Sequence, residues 1–208
     1  MKIILICFIN DRFYNLLKVM EEKIMKKILG VMGSPRKGGN TDILVSKILD
    51  GAKEMGANIE KISLNNLDIK ECDGCHACWD GRKCSKHDDM NEIFNLIIEC
   101  DIIIFGTPVY WYGPTGLMKL FLDRFVYFNS PANREKIKDK SAVLAIPFEE
   151  NDLETARPLV LMFEKSFKYL EIKLIETILA PDVGEKGAIL KKNEILDEAY
   201  TIGKNIGK

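Results

Sequence analysis

Apolar runs of strand length alternate with amphipathic stretches of helical length along nearly the whole chain, and few folds accept that alternation. Lys27 to Met32, Asn58 to Leu64, Asp101 to Gly106, Ser141 to Ile146 and Ile172 to Leu179 read as strands. Between them Leu44, Ile48, Ala52 and Met55 recur at helical spacing, as do Met90, Ile93, Phe94, Ile97 and Ile98. Leu117, Leu120, Phe121 and Phe125 give a third helix, and Ile195, Ala199, Ile202 and Ile206 the last. The helix before Ile172 carries Pro158, which must lie in its first turn or kink it, because proline lacks the amide that an interior turn uses. Strand alternating with helix implies right-handed crossovers and a parallel sheet covered on both faces.

Five strands favour the flavodoxin-like arrangement over the Rossmann one: a three-layer α/β/α sandwich with a five-stranded parallel sheet in the order 2-1-3-4-5. Ligands of such sheets bind beyond the carboxyl ends of the strands, so the loops after Met32, Leu64, Gly106 and Ile146 are expected to form one site. With 208 residues, 47% of them hydrophobic, the chain has material for one substantial core. Met25-Lys26-Lys27-Ile28 opens the first clear strand. Residues 25–208 are therefore expected to be the domain, and residues 1–24 an extension that is either an accessory helix or sequence upstream of a natural start. The apolar run Ile3 to Ile9 is too short to span a bilayer and no small-residue cleavage site follows it. Lys and Arg total 30 against 31 Asp and Glu, so no charge excess points to nucleic acid or an anionic membrane. A cytoplasmic location is expected, where structural disulfides are uncommon and six cysteines imply metal or redox chemistry.

Gly33-Ser34-Pro35-Arg36-Lys37-Gly38-Gly39-Asn40-Thr41 follows the first strand and opens the first helix. Free amides at a helix N-terminus, glycines that let the backbone approach closely, the hydroxyls of Ser34 and Thr41 and the charge of Arg36 all suit a phosphate. Gly33 and Gly38 have the spacing of an ATP or GTP phosphate loop, but Gly39 and Asn40 stand where a lysine and a Ser or Thr are required. A G-x-G-x-x-G dinucleotide motif is also missing. What remains is a monophosphate such as that of FMN, or a Gly-rich turn capped by Asn40 or Thr41.

Thr107-Pro108-Val109-Tyr110-Trp111-Tyr112-Gly113-Pro114-Thr115-Gly116 follows the third strand. Prolines and glycines fix its backbone while three aromatics offer flat surface for a conjugated ring. Alone, such aromatics more often belong to a core or a subunit interface. Combined with the phosphate loop they describe a flavin mononucleotide site.

Cys72-Asp-Gly-Cys75-His-Ala-Cys78-Trp-Asp-Gly-Arg-Lys-Cys84 lies in an insertion, residues 66–88, between the second strand and its helix. The C-x2-C-x2-C-x5-C spacing lets one short loop turn several thiolates inward, and soft thiolates favour iron–sulfur or zinc over hard cations. Bacterial ferredoxins send their fourth cysteine to a second cluster, whereas Cys84 is local, so one self-contained [4Fe–4S] cluster on Cys72, Cys75, Cys78 and Cys84 is expected. Structural zinc, which usually separates two C-x2-C pairs by a longer knuckle, and metal-free thiol redox chemistry stay open. His76 and His87 read as solvated loop residues, and Cys7 and Cys100 as small core side chains.

These segments resemble the NADPH-dependent FMN reductase and multimeric flavodoxin-like family, in Gly33-Ser34-Pro35-Arg36 through Asn40-Thr41, Thr107-Pro108-Val109-Tyr110-Trp111 and Phe121-Leu122-Asp123-Arg124. The cysteine segment followed by Asp88-Asp89-Met90 narrows the likeness to the iron–sulfur flavoprotein branch. The resemblance implies an FMN phosphate held by Ser34, Arg36, Asn40 and Thr41, with Gly38 in the same loop. It places the flavin ring against Pro108, Val109, Tyr110 and Trp111, before Gly113, in a homodimer or homotetramer. It also implies electron transfer between a ferredoxin-like carrier, the cluster and FMN, with no catalytic side chain of its own. The alternative is an NAD(P)H-dependent FMN or quinone reductase whose cysteines are structural, redox-active or zinc-binding.

One segment departs from the family pattern. After the fourth strand a glycine-containing loop is expected, and Pro147-Phe148-Glu149-Glu150-Asn151-Asp152 stands there instead. Carboxylates facing the site repel the phosphates of a nicotinamide donor; otherwise they form a solvated acidic loop. Asp123 and Arg124 read as a pair on a helix surface.

Overall fold

The computed structural model describes residues 25–208. The extension at 1–24, with Cys7, lies outside the described residues. The strands are β1 (Lys27–Met32), β2 (Asn58–Ser63), β3 (Ile102–Gly106), β4 (Ser141–Pro147) and β5 (Lys173–Ala180). They pair in parallel in the order β2-β1-β3-β4-β5, the arrangement expected from the sequence. The helices are α1 (Asn40–Glu54), α2 (Met90–Glu99), α3 (Gly116–Asp123), the single turn α4 (Val126–Asn129), α5 (Arg157–Leu170) and α6 (Asn193–Ile206). Pro158 sits in the first turn of α5, where its missing amide costs no helical hydrogen bond.

Alternation along each strand divides the interior into two cores. Leu29 and Val31 of β1, Ile103 and Phe105 of β3 and Ala142 and Leu144 of β4 face α2, α3, α4 and α5. Their neighbours Ile28, Met32, Ile102, Ile104, Val143 and Ala145 face α1 and α6. A sheet buried on both faces needs the continuous apolar runs seen in β1, β3 and β4. At the centre of the first core the Phe105 ring lies 5.0–6.3 Å from the rings of Phe121, Phe125, Phe163 and Phe167. Burying one such side chain is worth about 2–3 kcal/mol relative to leaving it exposed.

The other face is closed differently. A Cβ on Gly203 of α6 would lie 1.9 Å from the Ile48 carbonyl oxygen, and one on Gly51 of α1 2.2 Å from that of Tyr200. The two helices therefore touch backbone to backbone, which anchors α1, and with it the loop before it, on the sheet.

Hydrogen bonds at the carboxyl edge tie the loops together. The Gly33 amide donates to the Gly106 carbonyl at 2.7 Å, Thr107 to Ala145 at 3.1 Å and Phe148 to Ala180 at 2.9 Å.

Candidate functional site

At that edge Ser34, Arg36, Asn40 and Thr41 from the loop before α1, Pro108, Val109 and Tyr110 after β3, Pro147, Phe148 and Glu149 at the end of β4, and Val183 and Gly184 after β5 line one cleft. The loop after β2, expected here, does not line it and carries the cysteines instead. Val183 and Gly184 were not anticipated from the sequence; the Pro181-Asp182-Val183-Gly184 run after the last strand was the available signal.

The phosphate loop is tightly wound. The Arg36 amide donates to Ser34 Oγ at 3.2 Å, the Gly39 amide to the Arg36 carbonyl at 3.0 Å and the Gly38 amide to Asp42 Oδ2 at 2.8 Å. Gly38 has φ +66°, where a side chain would be strained. Gly39 caps α1 without a side-chain bond, so the amides of the first turn, from Asn40 to Asp42, have no partner within the helix. Such amides, with the helix dipole behind them, suit an anion. Asp42, at the same helix end, is held below its ordinary 3.8: burial pushes it up, but the Gly38 amide and Lys61, 3.0 Å away, outweigh that.

Asn40 lines the cleft and is also bonded to the segment after β5. Its side-chain amide donates to the Val183 and Glu185 carbonyls at 2.6 and 2.8 Å and its oxygen accepts from the Ile189 amide at 3.2 Å. Its polar atoms are thus committed to the segment after β5, and the side chain braces one wall of the cleft. Arg36 reaches the same segment, donating to the Gly184 carbonyl at 3.4 Å.

Tyr110 and Gly113 exchange backbone hydrogen bonds of 2.8 and 3.0 Å across a two-residue turn. Its central residues Trp111 and Tyr112 have φ of 50° and 62°. A hairpin turn of this kind prefers Asn-Gly, and side-chain-bearing residues there cost about 1–2 kcal/mol each. Trp111 is 97% exposed and does not line the cleft, in contrast to Pro108, Val109 and Tyr110.

The insertion forms a second pocket, lined by Cys72, Cys75, Cys78 and Cys84 together with Ser85, Arg124 and Tyr127. The four cysteines are free thiols. Positive φ at Gly74, His76 and Gly81 turns the loop back on itself. Its two ends are joined where the Asp68 amide donates to Asp89 Oδ2 at 2.7 Å and the Lys70 amide to Asp88 Oδ2 at 2.9 Å. Burial pushes the Cys78 thiol up, a backbone hydrogen bond partly offsets this, and the neighbouring Cys84, Cys72 and Cys75 add to the rise. A thiol in such a group ionises more readily when a cation shares the charge. Among the described residues no three Cys, His, Asp or Glu side chains converge on a single ion. Cys100 is buried elsewhere in the core, its thiol pushed up to about 12 by that burial.

Arg124 and Asp123 do not pair with each other on the surface. Asp123 is bonded by Lys119 at 2.6 Å, one helical turn away. Arg124 turns inward, fully buried, to Asp88. Burial pushes the Asp88 carboxyl up, but the Arg124 guanidinium and the amides of Lys70 and Met90 more than offset it and hold it below 3.8.

Residues 26–159 match the family described as NADPH-dependent FMN reductase. An iron–sulfur flavoprotein of Methanocaldococcus jannaschii is 41% identical over 98 residues, 47% of this chain and 51% of that protein. The chain thus spans about half the length of that relative. An iron–sulfur flavoprotein of Archaeoglobus fulgidus is 29% identical over 189 residues, 86% of this chain and 93% of that one. Among solved structures, the Trp repressor binding protein of Bacillus subtilis superposes with a TM-score of 0.66 at 27% identity, over 85% of this chain and 98% of that one.

Proposed function

Because the chain belongs to the NADPH-dependent FMN reductase family and is similar to iron–sulfur flavoproteins, we propose that it is an FMN-dependent oxidoreductase passing electrons between a one-electron carrier, a [4Fe–4S] cluster and FMN. The observation that carries this reading is the gathering of Cys72, Cys75, Cys78 and Cys84, as free thiols, around one pocket. The donor set fits a cubane better than zinc. Structural zinc usually takes two C-x2-C pairs separated by a longer knuckle, unlike the C-x2-C-x2-C-x5-C run here. A cubane takes each thiolate on a different iron and spreads them apart. When bound, such a cluster exchanges single electrons and FMN exchanges two.

The chain's own part is to bind, orient and shield. Ser34, Thr41 and the first-turn amides of α1 suit the FMN phosphate, with Arg36 supplying charge at the mouth. Pro108, Val109 and Tyr110 offer the surface for the ring, while Asn40 holds the opposite wall. Glu149, in the same cleft, disfavours a phosphate-rich nicotinamide donor and supports a protein carrier such as a ferredoxin. The strained, exposed Trp111–Tyr112 turn supports assembly into a homodimer or homotetramer that covers it.

An anaerobic UV–visible spectrum with iron and acid-labile sulfide analysis of the same sample tests the proposal. Flavin bands over broad cluster absorption, with about four irons per chain, are expected. Flavin without iron, in protein never exposed to oxygen, overturns the cluster and leaves an NAD(P)H-dependent reductase as the reading.

A further inference from the structure

Arg124 follows α3 directly and is 1% exposed, enclosed by the two ends of the cysteine loop. One terminal nitrogen donates to the Lys70 carbonyl at 2.9 Å and to the Asp88 carboxylate. The other donates to Asp88 Oδ1 at 3.2 Å and to Cys84 Sγ at 3.2 Å. Asp88 also accepts from the Lys70 and Met90 amides at 2.9 and 3.2 Å. Three segments distant in sequence, at residues 70, 84–88 and 124, are thereby locked together on one guanidinium.

Stability alone is a poor account of this arrangement. Removing two charges from water costs several kcal/mol per ion, and apolar side chains of similar volume often hold a loop as well or better. One guanidinium N–H is also directed at sulfur, a weak acceptor in an uncharged thiol and a much better one in a thiolate. Cys84 is in addition the cysteine set apart from the other three by a five-residue spacer, so the C-x2-C runs do not position it.

We propose that Arg124 is a positioning residue for the metal cluster, fixing Cys84 as a ligand and raising, through its N–H···S bond and charge, the potential at which the cluster accepts an electron. The inference rests on the cluster reading above. Hydrogen bonds to ligand sulfurs and nearby positive charge favour the more negative, reduced form. Asp88 forks the guanidinium and aims its remaining donor. Lysine, whose three donors radiate from one nitrogen, cannot span Asp88, Lys70 and Cys84 in that geometry.

The test compares anaerobically purified wild-type protein with Arg124→Lys, Arg124→Gln and the double variant Asp88→Asn with Arg124→Gln, which leaves no unpaired buried charge. Iron, sulfide and FMN are measured first, then the cluster midpoint by electron paramagnetic resonance during dithionite titration. In the glutamine variants the midpoint is expected to fall by about 59 mV, a tenfold change in a one-electron equilibrium, with FMN content unchanged. Arg124→Lys is expected to move it in the same direction. Loss of iron from a double variant that still binds FMN and keeps its circular dichroism also supports the assignment. Iron-loaded variants with the wild-type midpoint overturn it. If Arg124→Gln is insoluble, the double variant decides. A wild-type protein without iron removes the cluster reading and this inference with it, and is distinguished by the metal analysis alone.

Discussion

The Thr115 hydroxyl is spent twice. It donates to the Gly33 carbonyl at 2.5 Å and accepts from the Met118 amide at 3.2 Å, while the Thr115 amide donates to Thr107 Oγ1. One buried side chain thus caps α3 and ties the loop after β3 to the phosphate loop. Thr115→Val keeps the shape and loses the cap as well as the partner of a buried carbonyl. Stability to urea is expected to fall by about 2–3 kcal/mol, with weaker FMN binding because two walls of the cleft lose their tether. Asp42 gives a pH dependence at the same scale. Its folded carboxyl lies below 3.8, so it contributes stability above that value and loses it as the pH falls through the folded value. Unfolding midpoints measured from pH 7 to pH 3 are expected to drop less steeply below pH 4 for Asp42→Asn than for the parent protein.

At the scale of elements, the glycines of the α1–α6 seam differ in kind from others on the surface. Gly203→Ala places a methyl 1.9 Å from the Ile48 carbonyl and must push α6 off α1, whereas Gly116, at the start of α3, has open space around it. Calorimetry is expected to show Gly203→Ala destabilised by about 3 kcal/mol and Gly116→Ala stabilised by about 0.5 kcal/mol. The central elements were readable because a sheet buried on both faces writes its inner strands β1, β3 and β4 as apolar runs. β1 has the bounds expected from its sequence; β2 stops one residue short because Leu64 begins a 3-10 turn; β5 starts one residue late because the Ile172 amide closes the end of α5 on Phe167. The seam was not legible, since a backbone contact leaves no periodic signal. The partner of Arg124 was hidden for another reason. Asp123 is its neighbour in sequence, but the helix sends the two side chains apart, and Asp88 reaches Arg124 only after the cysteine loop has closed on itself. Asn40 stood in a motif whose pattern suggested a ligand contact, yet its partners lie near residue 185, a separation local reading does not cross.

For the molecule as a whole, the remaining question is which donor its charges admit. Net charge is close to zero, so steering must come from local patches. Arg36 and Glu149 both line the cleft and both reach Gly184, with Glu150 and Asp152 exposed on the loop that follows. A nicotinamide dinucleotide must bring further phosphates past those carboxylates, whereas a protein carrier can deliver electrons at the cysteine loop without entering the cleft. In stopped-flow mixing, reduction of FMN-loaded protein by NADPH is therefore expected to be slow at low salt. Screening with salt, or the pair Glu149→Gln and Glu150→Gln, is expected to speed it by about tenfold. Reduction by dithionite should respond far less to the substitutions, because a small donor does not need the crowded end of the cleft. Rapid bleaching by NADPH in low salt, unaltered by the glutamine pair, means that the carboxylates do not gate the flavin, and the donor then approaches by the cleft after all.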